Sequence, residues 1–408
     1  MAHDSEILIV GGGLNGAALA LALASSGMSV TTVDPVPLDS RKSHEFDGRG
    51  YALALTSQRL LAAVGVWPKI AEHSQPILEI KVSDGRAGEG PSPMVLEFDH
   101  AEIEEGPMGF MVEDRYLSRA LLDAIEQNPL INQITLDTVI AQDVDPGSVT
   151  ATLASGKILK AGLLIGCDGR KSATAQRAGI NRTGWEYGQT SLVCAIAHER
   201  SHNGIAHQFF MPPGPLAILP LPGNVSSIVW TETDAEAARI QNLNDADYLD
   251  TLRPRFGDFL GEISLAGARF SYPLNLTLTN ALIAERVALV GDAAHGLHPI
   301  AGQGLNAGLK DVAALVEVLT TARRRGEDFG RLEVLERYQR WRRFDIATLA
   351  IATDSINKLF SNDNSLLRLG RDIGLDLVNS LPGLRRTFIR EAAGLTGELP
   401  KLLQGRLI

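Results

Sequence analysis

One stretch limits the fold more than any other: EILIVGGGLNGAALALALASSGMSVTTVD, residues 6–34. Four apolar residues, Ile7 to Val10, read as a buried strand. Gly11, Gly13 and Gly16 follow at the spacing G-x-G-x-x-G, then a helix of small residues from Ala17 to Ala24, then a second strand from Val30 to Val33 closed by Asp34. Gly11 permits the tight turn, Gly13 lets backbone N–H groups approach a pyrophosphate, and Gly16 lets the helix lie close on the sheet. The helix N-terminus presents its positive dipole end to that anion. Asp34 can accept hydrogen bonds from a ribose diol. The pattern predicts a Rossmann-like unit that binds a dinucleotide and leaves open which one. The absence of charge between Ile7 and Val33 would suit a membrane span, but five glycines among these residues favour strand, turn, helix and strand.

A chain of 408 residues is too long for one simple core, so two or three units are expected. The net charge of −10 opposes general nucleic-acid binding, and no nucleic-acid partner is expected. Cys167 and Cys194 are far apart, with no metal or redox spacing, and read as reduced thiols. The first ten residues, MAHDSEILIV, have no basic segment of the secretory type, so a cytoplasmic protein is expected.

Two further motifs carry chemistry. In AGLLIGCDGRKSATAQRAGI, residues 161–180, a buried strand from Leu163 to Gly166 leads into Asp168, Gly169 and Ser172. In RVALVGDAAHGLHPIAGQGLNAGLKDVAALVEVL, residues 286–319, a strand from Val287 to Val290 ends near Asp292, where ligands bind in open α/β sheets. Pro299 stiffens the turn, Gly302 and Gly304 admit something flat, and a helix follows with an apolar stripe at Leu305, Leu309, Val312, Val316 and Leu319. That helix opening is a second anion-stabilising device. His295 and His298 lie in the turn with no third ligand in view, so no metal is expected, and His295 reads as a packing or hydrogen-bonding residue.

Together the three motifs resemble the class A FAD-dependent aromatic hydroxylases. FDGRGYALALTSQRLL (46–61), GPLAILPLPG (214–223) and the tail GLTGELPKLLQGRL (394–407) narrow the likeness to the ubiquinone-biosynthesis hydroxylase subgroup. The resemblance implies that Gly11, Gly13, Gly16 and Asp34 hold the ADP half of FAD. It places Asp168 and Gly169 near the flavin and nicotinamide, Asp292 on the ribityl chain, and Arg49 close to the flavin. The backbone of Gly302, Gln303, Gly304, Leu305 and Asn306 would face the flavin's pyrimidine edge, and Pro299 would touch the reacting centre. The implied reaction is hydroxylation of a polyprenylated phenol through a flavin C4a-hydroperoxide, with O2 as co-substrate. NAD(P)H or a protein electron donor would be the reductant, since only one full G-x-G-x-x-G exists. Two departures stand out: Ala175 replaces the subgroup's Arg, and Asp114 is an acid that would need a cation near the flavin, with Arg115 or Arg119 at hand.

The fold expected is α/β: a Rossmann-like FAD-binding domain (1–72, 101–180 and 273–330), an antiparallel β-sheet substrate domain (73–100 and 181–272) and a C-terminal helical region (331–408). LVCAIAHE, IAHQFFM, GPLAILPL and SSIVWTET read as strands of a roof over the flavin, joined by ILEIKVSDG from an earlier insertion. Near the end, Leu366, Leu369, Ile373 and Leu377 share one helical face before Leu381-Pro382-Gly383 ends the run, and residues 366–408 carry seven Lys or Arg against four Asp or Glu. That balance suits peripheral contact with an anionic inner-membrane surface, or a place in a ubiquinone-biosynthesis complex, as well as a docked helix pair. Three rivals stay open: a hydroxylase of a soluble aromatic acid, a flavoprotein scaffold subunit, and a flavin reductase of isoprenoid double bonds.

Overall fold

The computed structural model describes residues 3–88, 90–297, 302–360, 378 and 380–408. His298, Pro299 and the stripe from Leu366 to Leu377 lie outside the described residues. The first layer is built on Ser5–Val10, whose apolar residues are buried on both faces, as a central parallel strand requires. It pairs in parallel with Val30–Asp34 on one side and Ile158–Gly166 on the other. Ile131–Thr135 and Val287–Leu289 extend the two flanks, again in parallel. Four strands from distant parts of the chain therefore end on one edge, beside Gly11, Asp34, Cys167 and Val290. The helix Leu14–Ser25 packs on this sheet through an unbroken buried run from Gly16 to Ala24. Alanines dominate it because the second helix on that face, Gln303–Arg324, buries Leu309, Val312, Val316 and Leu319 in the same core.

The second sheet is the roof. Arg182–His198, Ile205–Met211, Gly214–Leu221, Val225–Thr233 and Phe270–Thr279 pair antiparallel in the order 270–279, 182–198, 225–233, 214–221, 205–211. Glu79–Arg86 joins at the edge, but in parallel with Ile205–Met211, so the sheet is not wholly antiparallel. A strand delivered by an insertion over a hundred residues upstream is not bound to hairpin geometry. Period-two alternation divides the faces. Leu192, Ile196, Leu216, Ile218, Ile228 and Trp230 pack against two helices, Asp234–Gln241 and Asp245–Phe256, that the sequence reading did not anticipate. Val193, Ala217, Leu219 and Val229 turn the other way, toward a cavity.

The long helix Leu332–Phe360 buries Leu335, Tyr338 and Arg342, lines the cavity with Leu349 and Ile356, and reaches the roof where Asn357 Nδ2 donates to Gln189 Oε1 at 2.9 Å. Leu381-Pro382-Gly383 does more than end a run: Pro382 opens the helix Pro382–Ala392, where its missing N–H costs nothing. The described end of the basic tail, from Ala393 to Leu403, is docked on the rest of the chain. Ala393 O accepts from Thr56 N at 3.3 Å, Lys401 N donates to Glu317 Oε2 at 2.7 Å, and Leu402 and Leu403 are buried in the main core.

Candidate active site

The first glycine turn shows why each glycine stands where it does. Gly11 has φ +101°, and a Cβ there would lie 2.6 Å from the Cys167 carbonyl carbon. A Cβ on Gly16 would collide with Gly11 O. At Gly13 a Cβ would meet nothing within 4 Å, so the backbone there borders open space. Asp34, at the end of the second strand, accepts from Gly12 N at 2.6 Å and Val36 N at 2.8 Å. Arg41 ion-pairs with Asp34 and donates to Gly12 O at 2.6 Å, which places a cation over the turn. Sequence reasoning missed Arg41, because it lies in a four-residue helix with no motif of its own.

The turn after Val287–Leu289 is held from below by a buried charge network. Asp311, fully buried on Gln303–Arg324, takes His295 Nε2 at 2.6 Å and Arg342 Nε at 2.7 Å, and accepts from Gly291 N at 3.0 Å. Burial opposes the Asp311 charge, yet His295 and Arg342 outweigh it and hold the carboxyl below its usual range. The hydrogen-bonding role read for His295 thus has a partner sixteen residues on. Asp292 lines the cavity, its side chain two-fifths exposed, with Arg170 Nε 3.3 Å away.

Gln303–Arg324 starts at Gly302, whose φ of +62° is left-handed. Asn306 latches this opening to Gly50–Ala54: its Oδ1 accepts from Ala54 N at 2.9 Å and Ser57 Oγ at 2.7 Å, and its Nδ2 donates to Ala52 O at 2.8 Å. The Asn306 side chain is therefore committed to structure, and what it offers a ligand is backbone. Asp168 is similarly engaged. It accepts from Ser172 Oγ at 2.5 Å and Thr174 N at 2.9 Å, so it braces the short helix Ala173–Arg177, while Gly169 next to it borders the cavity.

The partner expected for Asp114 needs correcting. Arg115 pairs with Glu113 at 2.6 Å, and Arg119 lies 3.7 Å from Asp123. Asp114 instead faces Arg49, 3.2 Å away, and accepts from Ser118 Oγ at 3.0 Å. Sheet register decides this: Gly50 pairs with Glu113, which sets Arg49 beside Asp114. Arg49 also bonds Asp47 at 2.7 Å and lies over the Phe270 ring.

Gly13, Arg49, Gly169, Asp292 and the opening Gly302–Asn306 line one cavity of about 2130 Å³, whereas Gly11, Gly16, Asp34, Arg41 and Asp168 stand behind its lining. Ordinary ligand sites are roughly 300–1,000 Å³, so this one has room for a dinucleotide and a large second molecule. Gly13, Asp292, Gly302 and Gln303 border one part; Val82, Leu96, Leu219 and Val229 border another. The residues present fit FAD. Leu14–Ser25 and Gln303–Arg324 both open on the cavity, with no side-chain cap and no acidic residue in the first turn. Their first N–H groups suit an anion. Gly13 and Gly304 leave room for close backbone approach. Among the described residues no His, Cys, Asp and Glu group could hold a metal.

The comparisons agree with this geometry. The model of the FAD binding domain family matches residues 4–351. The chain is 43% identical to ubiquinone hydroxylase UbiL of Rhodospirillum rubrum, over 98% of this chain and 93% of that protein. It is 34% identical to 3-demethoxyubiquinol 3-hydroxylase of Escherichia coli, over 96% and 99%. The p-nitrophenol 4-monooxygenase PnpA of Pseudomonas putida shares the fold, with a TM-score of 0.80 over 98% of this chain and 100% of that one, at 18% identity. The protein belongs to the FAD-binding family defined by that domain.

Proposed function

We propose that the protein is an FAD-dependent monooxygenase that hydroxylates the aromatic ring of a polyprenylated phenol in ubiquinone biosynthesis. The observation that carries this reading is the single cavity joining two uncapped helix openings to an aliphatic wall. The names of the relatives, ubiquinone hydroxylase and 3-demethoxyubiquinol 3-hydroxylase, support the substrate class. Bound FAD, once reduced by NAD(P)H or a protein donor, supplies the electrons with which O2 places one oxygen on the ring and releases the other as water.

The chain's own contributions follow from where its groups stand. Gly11, Gly13 and Gly16 with Asp34 and Arg41 receive the ADP half, and Asp292 receives the ribityl hydroxyls. The opening of Gln303–Arg324 sets N–H groups and a positive dipole end toward developing negative charge on the flavin edge. Val193, Ala217, Leu219 and Val229 exclude water and seat the apolar tail. That lining supports the prenylated substrate over a soluble aromatic acid, which would need cations across its far wall. The O2 requirement sets the reading apart from the isoprenoid reductase, and turnover sets it apart from the scaffold.

The test is substrate-dependent O2 consumption by the FAD-loaded enzyme with a polyprenylphenol, together with the quinone precursor that accumulates in a deletion strain. Val229→Trp should cut kcat/KM for the prenylated phenol by roughly 10- to 100-fold, the effect of about 1–3 kcal/mol of overpacking. It should leave the unprenylated phenol within about threefold. Equal losses on both substrates count against the tail being seated there.

We also propose peripheral work at a membrane surface, where such a substrate resides. Phe344 and Phe388 border the cavity while 76% and 46% exposed, and no described helix is long and apolar enough to cross a membrane. Phe344→Glu with Phe388→Glu should lose co-sedimentation with anionic vesicles while FAD content holds; unchanged co-sedimentation would sink the idea.

A further inference from the structure

The side-chain amide of Asn15 has no part in anything described above, and it lies where the first and third motifs meet. Asn15 is in the first turn of Leu14–Ser25 and borders the cavity. A Cβ on Gly291 or on Gly308 would collide with its Nδ2, and a Cβ on Gly308 would also lie 2.5 Å from its Oδ1. The glycine after the strand Val287–Leu289 and the glycine in the second turn of Gln303–Arg324 thus form a slot that this amide fills. An amide gripped in that way between two glycines usually hydrogen-bonds to a neighbour. Here it does not: Oδ1 is buried without a partner, and neither end of the amide bonds any described residue. A buried carbonyl oxygen left unpaired costs free energy that a ligand donor would recover.

We infer that Asn15 is a FAD-binding residue whose Oδ1 accepts a proton from a hydroxyl of the ribityl chain as it passes between the first glycine turn and Asp292. The chemistry selects the hydroxyl. A phosphate oxygen has no proton to give Oδ1, and the flavin edge belongs to the other helix opening. Asp292, one residue beyond Gly291, would take a neighbouring hydroxyl, so the polyol would be read from both sides. Gly308 gains a role the sequence did not suggest, as the back wall of the Asn15 slot.

This inference rests on membership of the FAD-binding family and is independent of the hydroxylase reading. The test is Asn15→Leu, close in volume but without the amide, with Asn15→Ala run in parallel as the smaller replacement. FAD is titrated into apoprotein prepared from the purified holoenzyme, and the Tm of each apoprotein is recorded. The expected result is a rise in FAD Kd of roughly tenfold or more, with an apoprotein Tm at or above that of the parent. Loss of a merely structural amide would move both together, lowering the apoprotein Tm. An unchanged FAD Kd, or a weaker Kd matched by a lower apoprotein Tm in both variants, overturns the inference.

Discussion

Gly16→Ala should yield a colourless protein. The added methyl would meet Gly11 O, a backbone atom that no rotamer change can move, with the Gly11 carbonyl carbon 3.1 Å and Cys167 Cβ 3.4 Å away. Relief requires the helix Leu14–Ser25 to back off the turn. Its residues from Gly16 to Ala24 are all buried, so the shift would propagate into the main core. Overpacking of this kind costs about 1–3 kcal/mol before any ligand is counted. Misplacing the first N–H groups by an ångström adds the loss of their aim at the pyrophosphate. A rise in FAD Kd of at least about 100-fold is expected, read as flavin absorbance per mole of purified protein. Gly13→Ala is the control that separates packing from binding. Its Cβ would meet no protein atom within 4 Å, so the apoprotein should melt as the parent does, and any lost affinity reports backbone approach by the ligand. A yellow Gly16→Ala protein with parental affinity would overturn the account of this turn.

Asp311→Ala is expected to have the second largest effect. Removal takes one of the two acids from the buried Arg342 guanidinium, leaving it Asp345 at 2.7 Å, and leaves Arg342 Nε, His295 Nε2 and Gly291 N without their acceptor. Breaking a buried pair by deleting one partner costs about 3–5 kcal/mol, a large share of a marginal total. A fall in Tm of roughly 4–6 °C follows for a chain of this size. The pH dependence has a definite sign. The folded carboxyl titrates below its unfolded value, so its stabilisation is present above the ordinary Asp range and drains away as pH falls through the depressed folded value. The parent should lose stability through that acid window more steeply than the alanine variant. Because the network also holds the Gly291 amide, FAD should dissociate more readily from the variant at neutral pH. Parental Tm in the variant would show the network to be energetically idle.

How far the sequence could be read depended on the range of the interaction. The strand, turn and helix from Ser5 to Ser25 are local, and glycine spacing with unbroken burial exposes them. The roof strands were equally plain, since alternation and Pro/Gly turns mark each one. The helices Asp234–Gln241 and Asp245–Phe256 carried start signals in Thr233, Asn244 and four first-turn acids, but stayed hidden because their buried faces are narrow, Ala237 and Ile240 in one and Tyr248, Leu252 and Phe256 in the other. Partnerships made by tertiary structure were out of reach. Asp114 looked to Arg115 and Arg119 along its own helix, but sheet register brought Arg49. His295 looked like chemistry or packing, and its acid lay on the next helix. Asn15 carried no role legible in the sequence, because nothing local shows that its amide would be left unpaired. Pro299 drew attention through resemblance, and it lies outside the described residues.

The route of the chain through the first layer bears on its synthesis. Ser5–Val10 pairs with strands at Val30–Asp34 and Ile158–Gly166, yet Val287–Leu289 completes the edge only much later. The floor beneath it needs Arg342, and the core closes with Leu402 and Leu403. A ribosome adding roughly 5–20 residues per second therefore builds the strand Ser5–Val10 well before the strand Val287–Leu289 that completes its edge. Bound FAD would then stabilise the chains in which Val287–Leu289 has joined the sheet and Arg342 has met Asp311.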